Sequence, residues 1–434
     1  MCQNDDEMTN LKKIKKIIKD YFKIKLEESF HYDKSRVPLA IPPYSWEEIY
    51  ESLESLLSME TTMSKKVMLF EKKFAFYIGV KYALMVNSGS SANLLALSIL
   101  SNPLLKKKRI RKGDEIITPA VTWATTVYPI VNIGAKPVFV DVDLKTRNIM
   151  PSEIEKAITK KTKAIMPVHL LGYPCDMKKI LKLAHNYDLY TIEDACEAHG
   201  SEYFGKKVGS FGNLATFSFF ASHHITTMEG GMVVTNNPQL YEIGKSLRAF
   251  GWIRDLKDRK LYSKKFSHID PRFLFVNTGY NMRPTEIQGA FGIHQIKKLD
   301  YFIKIRRDNA EYWNKKLSPY SDYLILPQDE KGYLNSYMAY PITFIENEFF
   351  KKDDLIKILE KNKIETRPVM AGNITQQPVI KFIPHIIQGK LPNSQYIMKN
   401  SFLIGIHQGI NKKMRRYVAD IIIEFIKKKS RKFH

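Results

Sequence analysis

Three stretches of this chain carry residue types that could do chemistry. The run FSFFASHHITTMEGG, from Phe217 to Gly231, holds Ser218, His223, His224 and Glu229. An imidazole titrates near neutrality, so a histidine in a cleft can accept a proton and give it back. Adjacent histidines point apart on most backbones and make a poor metal pair, and the ordinary reading of either is a hydrogen-bonded structural residue. The run VNSGSSANLLAL, from Val86 to Leu97, sets Gly89, Ser90 and Ser91 where a strand gives way to a helix. Free N–H groups and the positive helix end would cradle a phosphate there, although most Gly/Ser turns before helices are only turns. The run LYTIEDACEAHG ends a buried strand on Glu193 and Asp194, with Glu197 three residues on. A carboxylate at a strand end ordinarily caps the next helix. Its chemical use would be to hold a pyridine nitrogen protonated, so that a ring can serve as an electron sink.

Groups so far apart in sequence meet only if the fold gathers them. From Val37 to Asp300 short apolar runs, among them EIITP, AKPVFVDVD, KAIMPVHLLG, NLATFSFF and GGMVVTNN, alternate with helical stretches. That alternation predicts an α/β fold: a large domain over 37–300 with a mainly parallel sheet covered on both faces. Binding groups in such sheets collect beyond the carboxyl ends of the strands. From Tyr301 onward a helix over about 300–317, the strand-like SYMAYPITF, a helix over 351–362 and a last helix after Asn411 predict a smaller α+β domain, 301–434. Ahead of Val37, Leu11, Ile14, Ile18 and Tyr21 stand at helical spacing among lysines, so residues 1–36 read as a basic amphipathic arm that packs on its own protein.

Sixty-eight Lys and Arg against 45 Asp and Glu leave a formal charge of +23 over 434 residues. The lysines are scattered through helices and tails with no nucleic-acid motif beside them, which reads as solvated faces and gives no reason to expect a nucleic-acid partner. No stretch approaches about eighteen consecutive apolar residues, and the acidic start MCQNDDEMTN lacks a secretory pattern. A cytoplasmic protein with no membrane span is expected. The three cysteines, Cys2, Cys175 and Cys196, are too sparse for a disulfide framework or a structural zinc.

In this order and spacing, the three runs resemble the DegT/DnrJ/EryC1/StrS family of sugar aminotransferases. The resemblance covers most of the chain, through VPLAIPPYSWEEI, MLFEKKFAFYIGVKYALMVNSGSSAN, ITPAVTWATT, GAKPVFVDVD, VHLLGYPCDM, IEDACEAHGSEYFGKKVGSFG and GYNMRPTEIQGAFGIHQIKKLD. It implies the aspartate aminotransferase-like fold of the fold type I PLP enzymes, with pyridoxal 5'-phosphate or pyridoxamine 5'-phosphate as cofactor. By position it implies that Gly89, Ser90, Ser91 and Ser218 bind the cofactor phosphate, that Trp123 stacks on the pyridine face and that Asp194 pairs with its nitrogen. Asn281 looks like the residue that crosses to the phosphate of the neighbouring subunit, which implies a homodimer with shared active sites.

One position departs from that pattern. In the transaminases of the family the residue five after the Ser218 equivalent is the lysine that links the cofactor covalently. Here it is His223, and no lysine lies between Ser218 and Gly231. An imidazole has no primary amine, so a covalent anchor is not available there. Pyridoxamine phosphate, held by its phosphate, its ring nitrogen and stacking, is the expected resident. The His-His-Ile-Thr run and its Glu-Gly-Gly resemble the nucleotide-sugar 3-dehydratase branch of the family. The stretch TRPVMAGNITQQP resembles the substrate-binding segment of that branch and implicates Arg367 and Asn373, while Glu197 matches its acidic residue.

The implied reaction is C3-dehydration of a GDP- or CDP-linked 4-keto-6-deoxysugar, hexose or heptose, to a 3,6-dideoxy-4-keto sugar for surface polysaccharide. His223 and Glu197 would be catalytic, and L-glutamate would restore the amine form of the cofactor. A sister branch adds an iron–sulfur cluster that needs four thiolates, more than three spaced cysteines supply, so no cluster is expected. The rival readings are a nucleotide-sugar 4-aminotransferase in which another lysine reaches the cofactor, and a non-catalytic member of the fold. Residues 253–273 depart from the branch and leave the sugar open.

Overall fold

The computed structural model describes residues 5–25, 30–31 and 34–430, so Cys2 lies outside them; the lysine-rich tail 425–434, which the sequence suggests is frayed, is helical as far as Ser430 in the helix Lys412–Ser430. The first strands are β1 (Tyr82–Val86), β2 (Glu115–Pro119), β3 (Lys136–Val140), β4 (Thr162–Ile165) and β5 (Tyr190–Asp194). A small hairpin, β6 (Glu202–Tyr203) and β7 (Lys206–Lys207), precedes β8 (Leu214–Ser218) and β9 (Gly231–Thr235). The later strands are β10 (Leu324–Ile325), β11 (Tyr333–Leu334), β12 (Tyr340–Phe344), β13 (Thr366–Pro368), β14 (Ile386–Ile387) and β15 (Ser401–Ile404).

Eight strands form the main sheet in the order β1-β9-β8-β5-β4-β2-β3-β14. Helices cover both faces, and every residue of β2, β8 and β9 is buried, which is why these strands read as continuous apolar runs. All neighbours run parallel except at β9, which is antiparallel to β1 and to β8. That reversal brings the first residue of β9 to the edge where β1 and β8 end: Gly231 stands opposite both Val86 and Ser218. The carboxyl ends of β1, β5 and β8 and the start of β9 therefore share one rim.

A second, antiparallel sheet, β10-β12-β15-β13, packs on a separate core that includes Trp313, Tyr340, Phe402 and Ile422. Val37 belongs to that core and exchanges backbone hydrogen bonds with residues 363 and 365. In the other direction, β14 extends the main sheet beside β3, and Ile374, Ile380 and Leu391 pack on Ala120, Val127 and Phe139. The late segment is thereby delivered to the end of β2.

The helix expected over 300–317 runs further, from Glu286 to Leu317, 32 residues. Thr285 starts it, its side chain and that of Gln288 capping one another's backbone N–H. Gly289 and Gly292 lie inside its first two turns. A Cβ on Gly289 would lie 2.5 Å from the Val67 nitrogen and one on Gly292 2.4 Å from the Phe70 ring, so both glycines let the helix Lys65–Ile78 cross at close range. The N-terminal arm is helical over Asp5–Lys25 and rests on the helix Trp46–Leu57, with Lys15 over the rings of Trp46 and Tyr50 at 5.4 and 5.0 Å. Among the described residues no helix is long and apolar enough to cross a membrane.

Candidate active site

At the shared rim the helix Gly89–Ser101 begins directly after β1. Ser88 caps it, its hydroxyl accepting from the Ser91 N–H at 3.1 Å, and the N–H groups of Gly89 and Ser90 open the first turn with no intrahelical acceptor. The wall opposite is Ser218. A Cβ on Gly89 would stand 2.4 Å from the Ser218 Cβ and 2.6 Å from its Oγ, and one on Gly231 2.3 Å from the Ser88 carbonyl oxygen. Glycine is therefore required at both places, and the result is a cradle of hydroxyls and N–H groups at a positive helix end. Its donor set fits a phosphate.

Asp194 closes β5, the strand beside β8, far from that cradle in sequence. It is buried, and it accepts from Asn93 Nδ2 at 3.0 Å, from Thr126 Oγ1 at 2.8 Å and from the Cys196 N–H at 3.2 Å. Thr216 Oγ1 in turn donates to Asn93 Oδ1 at 2.6 Å, so the donors are themselves held. Such a carboxylate is fixed in place and suits a protonated ring nitrogen. Its neighbour Glu193 faces the other side of the strand and holds the turn between β7 and β8, accepting from the N–H groups of Gly209, Phe211 and Gly212 at 2.8, 2.8 and 2.7 Å. Trp123 immediately precedes the helix Ala124–Asn132 and is 54% exposed, a large flat ring left open where a cofactor face could stack.

The loop Phe219–Gly230 is tied at its base. The Phe219 N–H donates to the Gly230 carbonyl at 2.8 Å, and Thr226 Oγ1 and the Thr227 N–H both donate to the Phe219 carbonyl at 2.9 Å. Thr226 N–H also reaches Gln295 Oε1 at 3.0 Å. On this frame the two histidines point apart: His223 is half-buried, whereas His224 is fully buried and donates from Nε2 to the Ser336 carbonyl at 3.1 Å. Burial, and secondarily the positive Arg306, push the His223 imidazole down to about 4. That is below the near-neutral value expected of an ordinary histidine, and it leaves the ring unprotonated and ready to accept a proton at neutral pH. Glu197 is displaced the other way. Burial and the Asp194 charge push it up to about 8, against the Leu171 N–H that donates to it at 2.8 Å. At neutral pH His223 is thus unprotonated and Glu197 largely protonated, a separation produced by environment alone.

Asn373 is buried at the end of β2, paired with Val121 across a short bridge, with Ile374 N–H donating to the Ala120 carbonyl at 2.9 Å. It is therefore close to the Trp123 segment. Arg367 is not gathered with this group: it is exposed on β13, in a recess shared with Arg36, Glu360 and Lys363. Asn281 is also exposed, its Oδ1 accepting from Arg283 Nε at 3.1 Å, on a segment that meets the start of the cradle through the bond from Asn87 N–H to the Met282 carbonyl at 3.0 Å. Sequence reasoning did not single out Asn93, Thr126, Thr216 or His199. Asn93 and Thr216 are single polar residues among apolar ones, Thr126 follows Thr125 and His199 stands between Glu197 and Ser201; only the folded arrangement shows what each faces.

The family described as DegT/DnrJ/EryC1/StrS aminotransferases matches residues 44–423. The GDP-4-keto-6-deoxy-D-mannose 3-dehydratase of Yersinia pseudotuberculosis is 41% identical over 377 residues, 86% of this chain and 94% of that protein. The structure of E. coli GDP-4-keto-6-deoxy-D-mannose-3-dehydratase with bound hydrated PLP superposes with a TM-score of 0.84 at 37% identity, covering 91% of this chain and 100% of that one. A GDP-4-keto-6-deoxymannose-3-dehydratase structure with a trapped PLP-glutamate geminal diamine gives a TM-score of 0.82 at 36% identity, over 88% of this chain and 99% of the other.

Proposed function

The chain belongs to the DegT/DnrJ/EryC1/StrS aminotransferase family, and from that premise we propose that its cleft removes the 3-hydroxyl of a nucleotide-linked 4-keto-6-deoxysugar. The enzyme is a PLP-dependent nucleotide-sugar 3-dehydratase, a carbon–oxygen lyase. The observation that carries the reading is His223 on a tied loop five residues past Ser218, in a site whose cradle and buried carboxylate fit a phosphorylated pyridine.

Bound there, pyridoxamine phosphate would supply a primary amine for the sugar ketone and a ring that takes up electrons. Gly89, Ser90, Ser91 and Ser218 hold the phosphate, Trp123 fixes the ring plane, and Asp194 keeps the ring nitrogen protonated. His223 accepts a proton at Nε2 and, once charged, delivers it to the departing 3-hydroxyl. Glu197, neutral at working pH, orients the ring by hydrogen bonding and holds a proton in reserve. Asn373 contacts the substrate beside the Trp123 segment, whereas Arg367, exposed in a separate recess with Arg36, Glu360 and Lys363, is left out of this cleft. The substrate is GDP-linked, in line with the relatives, and glutamate returns the cofactor to its amine form. Asn281, with its exposed side chain, completes the phosphate site of a second copy in a homodimer. These substrates belong to the cytoplasm, and the product to surface polysaccharide synthesis.

The alternative, transamination through a lysine elsewhere in the chain, makes a different chemical prediction. After loading with pyridoxal phosphate and reduction with borohydride, peptide mapping should find only scattered, substoichiometric adducts on surface lysines. A stoichiometric adduct at one lysine, displaced by substrate, would return the chain to the aminotransferases.

A further inference from the structure

His199 is fully buried two residues past Glu197, and neither of its ring nitrogens has a hydrogen-bond partner among the described residues. Its ring sits in a box of Phe74, Phe217 and Phe219, at centroid distances of 6.4, 5.4 and 5.6 Å. The polar rings beside it are His224 at 5.5 Å and His223 at 6.2 Å, and each of these encloses an unpartnered Nδ1. Orphaned nitrogens rarely gather on three touching rings without a reason, because enclosed donors and acceptors are unfavourable when unmade. The other charged group facing the cluster is Arg306, whose guanidinium bonds the carbonyls of Tyr337 and Met338 at 2.9 Å. Burial, with Arg306 adding to it, holds all three imidazoles neutral.

One directed chain of hydrogen bonds satisfies every orphan. A carbonyl only accepts, so the His224 Nε2 that meets the Ser336 carbonyl carries the proton. In a neutral ring the Nδ1 of His224 is then a bare acceptor. His199 can donate to it and, with its own bare nitrogen, accept from the Nδ1–H of His223. That leaves the lone pair of His223 on Nε2, the one of its two nitrogens not enclosed. A direct N–H···N bond of about 3 Å sets imidazole centroids roughly 5 Å apart. The His199–His224 and His199–His223 centroids, at 5.5 and 6.2 Å, stand near that separation.

We propose that His199 is the positioning residue that fixes the tautomer of His223, through hydrogen bonds to His223 and His224 whose direction is set by the Ser336 carbonyl. This rests on the reading of His223 as the proton acceptor of the site. His199 touches no reactant; it ensures that the nitrogen facing the cleft is the one without a proton.

The test uses the full-length protein with 15N-labelled histidine and bound pyridoxal phosphate, in which two-bond 15N–1H spectra report the tautomer of His223. In the unmodified protein His223 is expected as the Nδ1–H form. His199→Phe fits the aromatic box and should shift it to the Nε2–H form, lowering kcat about tenfold or more with little change in KM, because a base in the wrong tautomer cannot accept. His199→Gln, which offers one donor and one acceptor, should keep the Nδ1–H form and most of the activity. An Nε2–H His223 in the unmodified protein overturns the proposal whatever the variants do, and so does a His199→Phe protein with unchanged tautomer and rate. A fully active His223→Asn enzyme would instead remove His223 as the base, with the tautomer result still standing.

Discussion

His223→Asn is expected to lower the rate of dehydration by about 10²–10⁴-fold, the range that a positioned acid–base group contributes, with cofactor affinity nearly unchanged. The separation of the two effects follows from where the contacts lie. The cofactor phosphate would be held at Gly89, Ser90, Ser91 and Ser218, and the ring nitrogen at Asp194, so none of the holding groups belongs to the imidazole. Nor does the loop depend on it: Thr226 and Thr227 tie the loop to Phe219, and Gln295 secures Thr226 from the long helix. Asparagine fills a similar volume and cannot accept a proton at neutral pH. Product formation under saturating substrate, beside a cofactor titration, measures both quantities. A variant within tenfold of the parent enzyme would take His223 out of the chemistry.

Asp194→Asn is expected to be the second most damaging change, with kcat reduced by at least about 10²-fold. The carboxylate accepts from Asn93, Thr126 and the Cys196 N–H, and an amide can keep some of those contacts while losing the charge. What disappears is the electrostatic reason for the ring nitrogen to stay protonated, and each unit of pKa lost there corresponds to about 1.4 kcal/mol between the two protonation states. Asparagine is the cleaner probe than alanine, which would leave Asn93 and Thr126 facing an empty site. Supplying a cofactor analogue whose ring nitrogen is permanently charged by N-methylation should recover part of the rate in the variant. No recovery, with the analogue bound, would mean that Asp194 serves only the packing of the site.

The parts of the molecule that could be read in sequence are those whose signal is local. The strands announce themselves as apolar runs because β2, β8 and β9 are buried on both faces. Gly89 could be seen as a turn, yet its close approach to Ser218 exists only because β9 slips between β1 and β8 in the opposite direction, a non-local event. Trp123 and Asn281 stand in no chemistry-bearing run, and the phosphate role of Ser218 is likewise legible only through family likeness. The long helix begins well before residue 300, and nothing local marks Gly289 and Gly292 as the points where it meets Val67 and Phe70. Glu197 was legible as a carboxylate, whereas its rise to about 8 depends on burial that no spacing records. The supporting shell, Asn93, Thr126, Thr216 and His199, follows no period, and only the folded arrangement shows what these residues face.

The decisive measurement is the mass and carbonyl content of the product formed from a GDP-linked 4-keto-6-deoxysugar with pyridoxal phosphate and glutamate. A product that has lost its 3-oxygen and kept the C4 ketone is the predicted result. A product that retains the 3-hydroxyl and carries an amine at C4 would contradict it and make the enzyme a transaminase.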